Sequence, residues 1–415
     1  MLNVLINAYA VSPNWGSEPG MGWNWVVNLA KYCNLYIITE GEWKDDIEAV
    51  VKTLPQKDHL HFYYNPLPDR IRKMCWNQGD WRFYWYYRKW QKRTFEIAQS
   101  IIGEHHIDVI HQLNMIGFRE PGFLWKIKDI PFVWGPVGGM DLMPVTYLKG
   151  AGFRQVLFGR LKNIVNIWQY KHHPRVKHAI ERSSVLIAAV KGVQDVLDRY
   201  YHKSVPLINE TGATLSESNI YTSNIKEGRK EFHIIWVGKF DFRKRLDLAL
   251  KTIALTDNKV IHFHICGTGS IQQEQYYKKL ADTYGVSLQC HWHGKVSHDK
   301  ILELMANSDL FFFTSIMEAT STVVLEAISV GLPILCFNTC GFGPIVQKMA
   351  GLVVELTTPE QSVNEFARHI NYLIEHKEDL MAISHSEIEN RIKLSWSSKA
   401  KQMVEIYKNI LQERC

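Results

Sequence analysis

The 415 residues are 46% hydrophobic and 22% charged, which excludes a disordered chain and, at roughly 150 residues per domain, predicts two to three domains with large cores. Seven scattered cysteines without a CxxC pair exclude a zinc ribbon and a disulfide framework and fit a reducing compartment. The net charge of +6 is uneven: residues 1–205 hold 26 Lys+Arg against 18 Asp+Glu and the remainder 22 against 24, so a basic first part is expected to meet something anionic.

Short apolar runs alternate with helical periodicity along the whole chain, the pattern of parallel α/β sheets. The first run, Leu2–Ala8, lacks a basic flank and reads as a buried strand, not a signal peptide. No run approaches the ~18 apolar residues of a spanning helix. Next comes Gly16-Ser-Glu-Pro-Gly20-Met-Gly22, read as a loop whose glycines let backbone approach a ligand, ahead of a helix over Trp23–Lys31. A dinucleotide fingerprint would need glycine at Trp25 and fails there. Further strands are expected over Leu35–Thr39, His61–Tyr64, Val109–His111, Pro131–Trp134, Val185–Ala189 and Pro206–Asn209.

Residues 70–93 gather eight basic and eight aromatic side chains. A helix with its aromatics in the core, or an aromatic-rich lobe edge, is the plain reading, and an interfacial patch against anionic lipid headgroups the sharper one. No nucleic-acid motif accompanies the patch, so nucleic acid is not expected. His111 ends one strand, and Trp134-Gly-Pro-Val-Gly138-Gly139-Met-Asp141 closes the next. The polar stretch Thr211–Glu231 reads as a linker between two similar lobes, 1–210 and 232–394, with a last helix over 395–415.

In the second half, strands are expected over Phe232–Val237, His262–Cys266, Leu288–Trp292, Leu310–Phe313, Ile334–Phe337 and Leu352–Val354. Helices are expected over Leu246–Leu255, Gln272–Tyr284, Asp299–Ala306 and Val323–Val330. The first of these strands runs into Gly238-Lys239-Phe-Asp-Phe-Arg-Lys244-Arg245. Cations there would stabilise a leaving group that gains negative charge, and a solvated basic helix start is the alternative. Cys266-Gly267-Thr-Gly269 and His293-Gly-Lys-Val296 close the next two strands. Leu310–Phe313 gives way to Ser315-Ile-Met-Glu318-Ala-Thr-Ser321-Thr322-Val323-Val-Leu-Glu326. A helix opening there presents free N–H groups to phosphate oxygens. The flanking carboxylates suit neutral hydroxyls, a ribose at one end and a sugar at the other; otherwise Glu326 merely complements the helix dipole.

Glu318 and Glu326, seven residues between them and followed by A-x-x-x-G-x-P, resemble the signature of retaining GT-B glycosyltransferases of family 4, the glycosyl transferases group 1. The resemblance spans nearly the whole chain, is specific over 232–335 and is loose before 110. It implies an α/β GT-B fold: two Rossmann-like, doubly wound parallel-sheet lobes with an interlobe cleft, the first binding the acceptor and the second a nucleotide sugar. Glu318 would then contact the donor sugar, Glu326 the ribose, and Lys239 and Lys244 the diphosphate. Gly20, Gly22, Gly267, Val296, Ser321, Thr322 and Val323 would line the donor site. His111 would face the reacting sugar as a catalytic group, and Gly138, Gly139 and Asp141 the acceptor. The chain departs from the family at Thr320-Ser321, where a bulky residue and Gly are usual, at Lys239 for Arg, and at Arg245 for Gly.

The implied reaction transfers a sugar, with retention, from a nucleoside-diphosphate sugar to a hydroxyl of a saccharide or lipid-linked glycan in cell-surface polysaccharide or glycoconjugate biosynthesis. The expected place is the cytoplasm, or the inner face of the cell membrane through residues 70–93. The sequence has no DxD motif, so neither metal nor cofactor is expected beyond the nucleoside-diphosphate sugar substrate. The alternatives are a nucleotide-sugar epimerase, an NAD-dependent dehydrogenase using Glu40 as its ribose acid, and a non-catalytic saccharide-binding relative.

Overall fold

A strand covered on both faces needs no polar alternation, and Val4, Leu5 and Ile6 show why: all three have no exposed surface. They belong to β1 (Leu2–Ala8), which lies in a six-stranded parallel sheet with β2 (Cys33–Thr39), β3 (Leu60–Tyr64), β4 (Val109–Asn114), β5 (Phe132–Val137) and β6 (Val185–Ala188). The order is β3-β2-β1-β4-β5-β6, doubly wound, with ligand sites expected beyond the carboxyl ends of the strands. The computed structural model describes residues 1–76, 80–148, 152–213, 230–256, 260–349, 351–385 and 388–413; most of the expected linker over 211–231 lies outside them. The chain divides into two units, the first comprising Met1–Met140, Val165–Gly212 and Trp396–Cys415, the second Asp141–Ile164 and Ala213–Ser395.

In the first unit, alternate residues of β1 serve two cores. Val4, Ile6 and Ala8 pack with Trp25, Val26 and Leu29 of helix Ser17–Leu29 and with Met403, Val404 and Tyr407 of helix Trp396–Gln412. Leu5 points the other way, to Ala98 and Ile101 of helix Arg82–Glu104. The expected strand over Pro206–Asn209 is reduced to one bridge between Ala188 and Leu207. The first helix begins at Ser17, not Trp23, so Gly20 and Gly22 lie within it. Pro19 is tolerated in a first turn. The glycines answer to packing: a Cβ on Gly20 would stand 2.1 Å from the Trp15 carbonyl oxygen, and one on Gly22 2.3 Å from that of Ala10.

The second unit repeats the plan with β7 (Phe232–Val237), β8 (Ile261–Cys266), β9 (Cys290–Gly294), β10 (Leu310–Phe313), β11 (Ile334–Phe337) and β12 (Leu352–Val354), ordered β12-β11-β10-β7-β8-β9. Segment 141–164, expected with the first lobe, belongs here. Tyr147 is fully buried, meets the Phe337 ring edge-on and lies 2.5 Å from the Ser362 hydroxyl. Among the described residues no helix is long and apolar enough to cross a membrane.

Candidate active site

The marked residues of the second unit meet at the carboxyl ends of β7 to β10. Backbone bonds tie three of those ends together: Gly238 N–H donates to Cys266 O (3.0 Å) and Gly267 N–H to Gly294 O (2.9 Å). Gly267 holds φ +152°, and a Cβ there would stand 1.8 Å from the Gly238 oxygen, so no other residue fits. Past Gly238, Lys239 is exposed and Asp241 caps the short turn Phe242–Lys244, accepting from the N–H groups of Arg243 (2.9 Å) and Lys244 (3.3 Å). The Thr314 hydroxyl, just beyond β10, donates to the Lys244 carbonyl (2.8 Å) and accepts from Trp236 Nε1 (3.1 Å). This fixes the turn against the neighbouring strand.

Lys244 and Glu318 are thereby brought together, Nζ to Oε1 at 2.9 Å, with side chains only 13% and 16% exposed. Ser315 Oγ donates to the same oxygen (3.0 Å), and the Glu318 N–H donates to Cys340 Sγ (3.1 Å). Arg243, which the sequence reading passed over, pairs with Asp241 at 3.0 Å and lies within electrostatic reach of Glu318. Helix Thr322–Ser329 starts directly after this loop, and its cap residue Ser321 makes no side-chain capping bond. Ser321 is buried, Thr322 exposed and Val323 half-buried. Glu326, one turn in, pairs at 3.2 Å with Nε2 of His298. Burial raises its carboxyl pKa, with His298 opposing. His298 was not singled out, although it lies two residues beyond Val296, itself half-buried beside the core that holds Val324.

The first unit places its marked residues differently. His111 is the third residue of β4, which runs on to Asn114, and it has no exposed surface. Its Nε2 lies 2.6 Å from the Gly135 carbonyl, which can only accept, so Nε2 carries the proton and Nδ1 accepts from the Tyr407 hydroxyl at 2.5 Å. Burial lowers its pKa to about 4. Both ring nitrogens are thus committed within the first unit, to Gly135 and Tyr407. Gly138 exchanges backbone bonds with Ile116 and Phe118, and Gly139 is exposed at φ +83°. Asp141 falls in the second unit, within electrostatic reach of the same Cys340 that accepts the Glu318 N–H. A carboxyl missed by the sequence reading is Glu18, which accepts from the Ile116 N–H at 2.8 Å and is pushed by burial up to about 7.

Residues 221–393 match the family described as Glycosyl transferases group 1. This stretch is similar to the group 1 glycosyltransferases. The lipopolysaccharide glucosyltransferase WaaG of Escherichia coli (strain K12) is 28% identical over 174 residues, 41% of this chain and 43% of WaaG. The match spans about two fifths of the length of the curated relatives. A glycosyltransferase structure from Rickettsia africae ESF-5 is similar with a TM-score of 0.63 at 16% identity, covering 99% of this chain and 98% of that one. Anabaena Alr3699/HepE, solved in complex with UDP-glucose, gives 0.57 at 14% identity, covering 99% and 100%. The two parallel sheets with their flanking helices form the α/β GT-B fold.

Against the group 1 pattern, the departure at Arg245 has a physical explanation. The residue takes φ 51°, ψ 46°, a left-handed conformation that glycine adopts freely. Its guanidinium, 4% exposed, pairs with Asp247 at 2.7 Å and donates to the Tyr147 carbonyl at 2.9 Å. The aromatic segment 70–93 divides between its two readings. Ile71, Phe83, Tyr87 and Trp90 are buried around Tyr9, whereas Trp76, Trp81, Tyr84 and Trp85 are exposed.

Proposed function

We propose that this chain transfers a sugar, with retention of anomeric configuration, from a nucleoside-diphosphate sugar to a hydroxyl of a saccharide or lipid-linked glycan, in cell-surface polysaccharide or glycoconjugate assembly. The observation that carries the reading is the Lys244–Glu318 pair beside the uncapped start of helix Thr322–Ser329, with Glu326 one turn further on. The helix N–H groups receive phosphate oxygens. Lys244 and Lys239, with Arg243 behind them, stabilise the charge that grows on the departing diphosphate. Glu318 accepts from sugar hydroxyls once Lys244 turns to phosphate, and Glu326, oriented by His298, accepts from the ribose. The bond from C1 to the phosphate oxygen breaks, the acceptor oxygen bonds C1 on the same face, and the acceptor proton passes to the leaving phosphate.

The cations and the helix terminus offer the charge that a divalent ion would otherwise bring, so turnover is expected to persist in EDTA. Gly267 and Val296 belong to the nucleotide side, and Gly20 and Gly22 shape the first helix rather than touch the donor. Gly138 and Gly139 remain on the acceptor side. The printed names of the relatives, a lipopolysaccharide glucosyltransferase and a UDP-glucose complex, make UDP-glucose the first donor to test. We place the enzyme in the cytoplasm, at a membrane surface.

The test is a thermal-shift screen of UDP-, GDP- and ADP-sugars followed by kinetics. A bound donor at a hundred times its Kd adds about 2.7 kcal/mol of stability. Glu326→Ala should abolish that shift, and Lys244→Ala should keep most of it while lowering kcat by about a hundredfold. Failure of every nucleotide sugar to raise the Tm would overturn the proposal. Binding without release of nucleoside diphosphate would favour a saccharide-binding relative, and rescue of EDTA-treated enzyme by Mn2+ alone would refute metal independence.

A further inference from the structure

The second sheet carries a ladder of histidines across β7, β8 and β9, whose first rung, His233 and His262, lies at the amino-terminal starts of β7 and β8. His262 and His264 alternate in β8, and His291 and His293 in β9, so each pair shares a face. Register sets His233 of β7 opposite His262, and His264 opposite His291. All five therefore stand on one side of the sheet, with neighbouring rings stacked 4.7–5.2 Å apart. Three Nδ1 atoms are tied inward: His233 Nδ1 to His264 Nε2 at 2.9 Å, His262 Nδ1 to His291 Nε2 at 2.9 Å, and His264 Nδ1 to His293 Nε2 at 3.0 Å.

That arrangement turns Nε2 of His233 and of His262 outward, where one carboxylate meets both. Glu231 Oε2 lies 3.3 Å from His233 Nε2, and Oε1 lies 3.7 Å from His262 Nε2. The three donor atoms all stand within 4.8 Å of one another. We propose that Glu231, His233 and His262 bind a divalent transition-metal ion of the Zn2+ class, with solvent in the fourth position. A tetrahedral site with bonds of about 2.0–2.1 Å holds its ligand atoms about 3.3 Å apart, a spacing the carboxylate contacts nearly have. The two imidazole nitrogens, within 4.8 Å of each other, must tilt together to complete it.

Chemistry favours this occupant over others. Two imidazoles and a carboxylate suit zinc and its neighbours, whereas Mg2+ and Ca2+ seek oxygen alone. When each Nδ1–H donates to the next ring, the lone pair of His233 and of His262 falls on Nε2, the ligand atom. His264 and His291 then act as the outer partners that fix tautomer and ring orientation. Metal binding requires this tautomer, since in the other one Nε2–H of His233 donates to Glu231 instead. Lys377 Nζ donates to the Glu231 main-chain carbonyl at 3.4 Å. The mouth is open, with Glu231 57% and His262 33% exposed. The site sits at the amino-terminal start of β7 and β8, so it clamps two strands and takes no part in sugar transfer; its success or failure is independent of the function proposed above.

The experiment is calorimetric titration of the full chain, free of any polyhistidine tag and stripped with EDTA, with ZnCl2 at pH 7.5. One Zn2+ per chain at micromolar Kd or tighter is expected, with a raised Tm. His262→Gln and the exposed, isosteric Glu231→Gln should each weaken binding at least tenfold. His291→Gln, one shell out, should weaken it ten- to a hundredfold. His178→Gln, at an unrelated exposed histidine, should change nothing. The proposal fails if wild type binds no more tightly than Glu231→Gln, or if His178→Gln weakens binding as much as His262→Gln.

Discussion

Arg245 sets two energies against each other at one residue. Its left-handed backbone costs roughly 1–2 kcal/mol relative to glycine, while its buried guanidinium makes charge-assisted bonds to Asp247 and Tyr147, each worth about 1.5–3 kcal/mol net. The bonds win. Arg245→Gly should restore the residue usual in group 1 enzymes yet lower stability by about 1–3 kcal/mol, with nucleotide affinity unchanged; urea denaturation and calorimetry read the two separately. His111 offers a pH test. The unfolded histidine takes a proton near pH 6.5, the folded one only near about 4. Its stabilising contribution is therefore whole above pH 6.5 and is lost as pH falls towards 4, by about 3 kcal/mol in all. Glu18 has the opposite sign: its folded pKa of about 7 lies above the model carboxyl value of 4.5, so stability falls as pH rises through that window. Unfolding curves from pH 4 to 8 should show His111→Gln flattening the acid limb and Glu18→Gln removing the loss between pH 4.5 and 7. Nothing local in the sequence marks the bond that His111 makes, because its partner Tyr407 lies 296 residues away.

At the scale of elements, the strands were the most legible feature because a parallel strand covered on both faces is a continuous apolar run. Phe232–Val237 and Leu310–Phe313 fall where the sequence reading puts them. The Glu318–Glu326 spacing was equally plain. The start of the first helix was hidden, since Pro19, Gly20 and Gly22 carry loop composition and only contacts with Trp15 and Ala10 explain the glycines. The His-x-His alternation of β8 and β9 was in plain view but went unread. Two helical glycines test the packing account. Gly22→Ala drives a Cβ to 2.3 Å from one backbone oxygen and 2.7 Å from Asn114 Nδ2, and should cost about 3 kcal/mol. Gly103→Ala, at the exposed end of helix Arg82–Glu104 with nothing within 4 Å, should instead stabilise by about 0.5–1 kcal/mol. Opposite shifts in thermal midpoint are the expected result; a like sign for both would refute the account.

At the scale of the whole molecule, the segment boundary at 140 was illegible because Gly135, Gly138 and Gly139 before it read equally well as the turn that ends a strand, and the burial of Tyr147 shows where 141–164 belongs. The later part of that segment opens a helix with an exposed apolar face. Helix Phe153–His172 is amphipathic in the inverted sense. Its buried side holds Gly159, Asn163, Asn166 and Tyr170, while Phe153, Leu157, Phe158, Leu161, Ile164 and Trp168 are exposed. The exposed set recurs at three- and four-residue spacing and so forms one stripe, and Arg154 and Arg160 are exposed on the same helix. A stripe of this kind is stable in water only at a cost, and a lipid interface removes it: each large apolar side chain fully buried gains about 1.5–3 kcal/mol, and each basic group near anionic lipid about 1 kcal/mol. Co-sedimentation should therefore show binding to vesicles rich in phosphatidylglycerol, weak binding to pure phosphatidylcholine, and release at high salt. Phe158→Glu with Trp168→Glu should reduce the bound fraction at least tenfold, whereas Arg88→Glu, at a residue already paired with Glu120, should have a smaller effect. Equal binding to both lipids, or no response to the double substitution, would mean that the stripe serves some surface other than an anionic membrane.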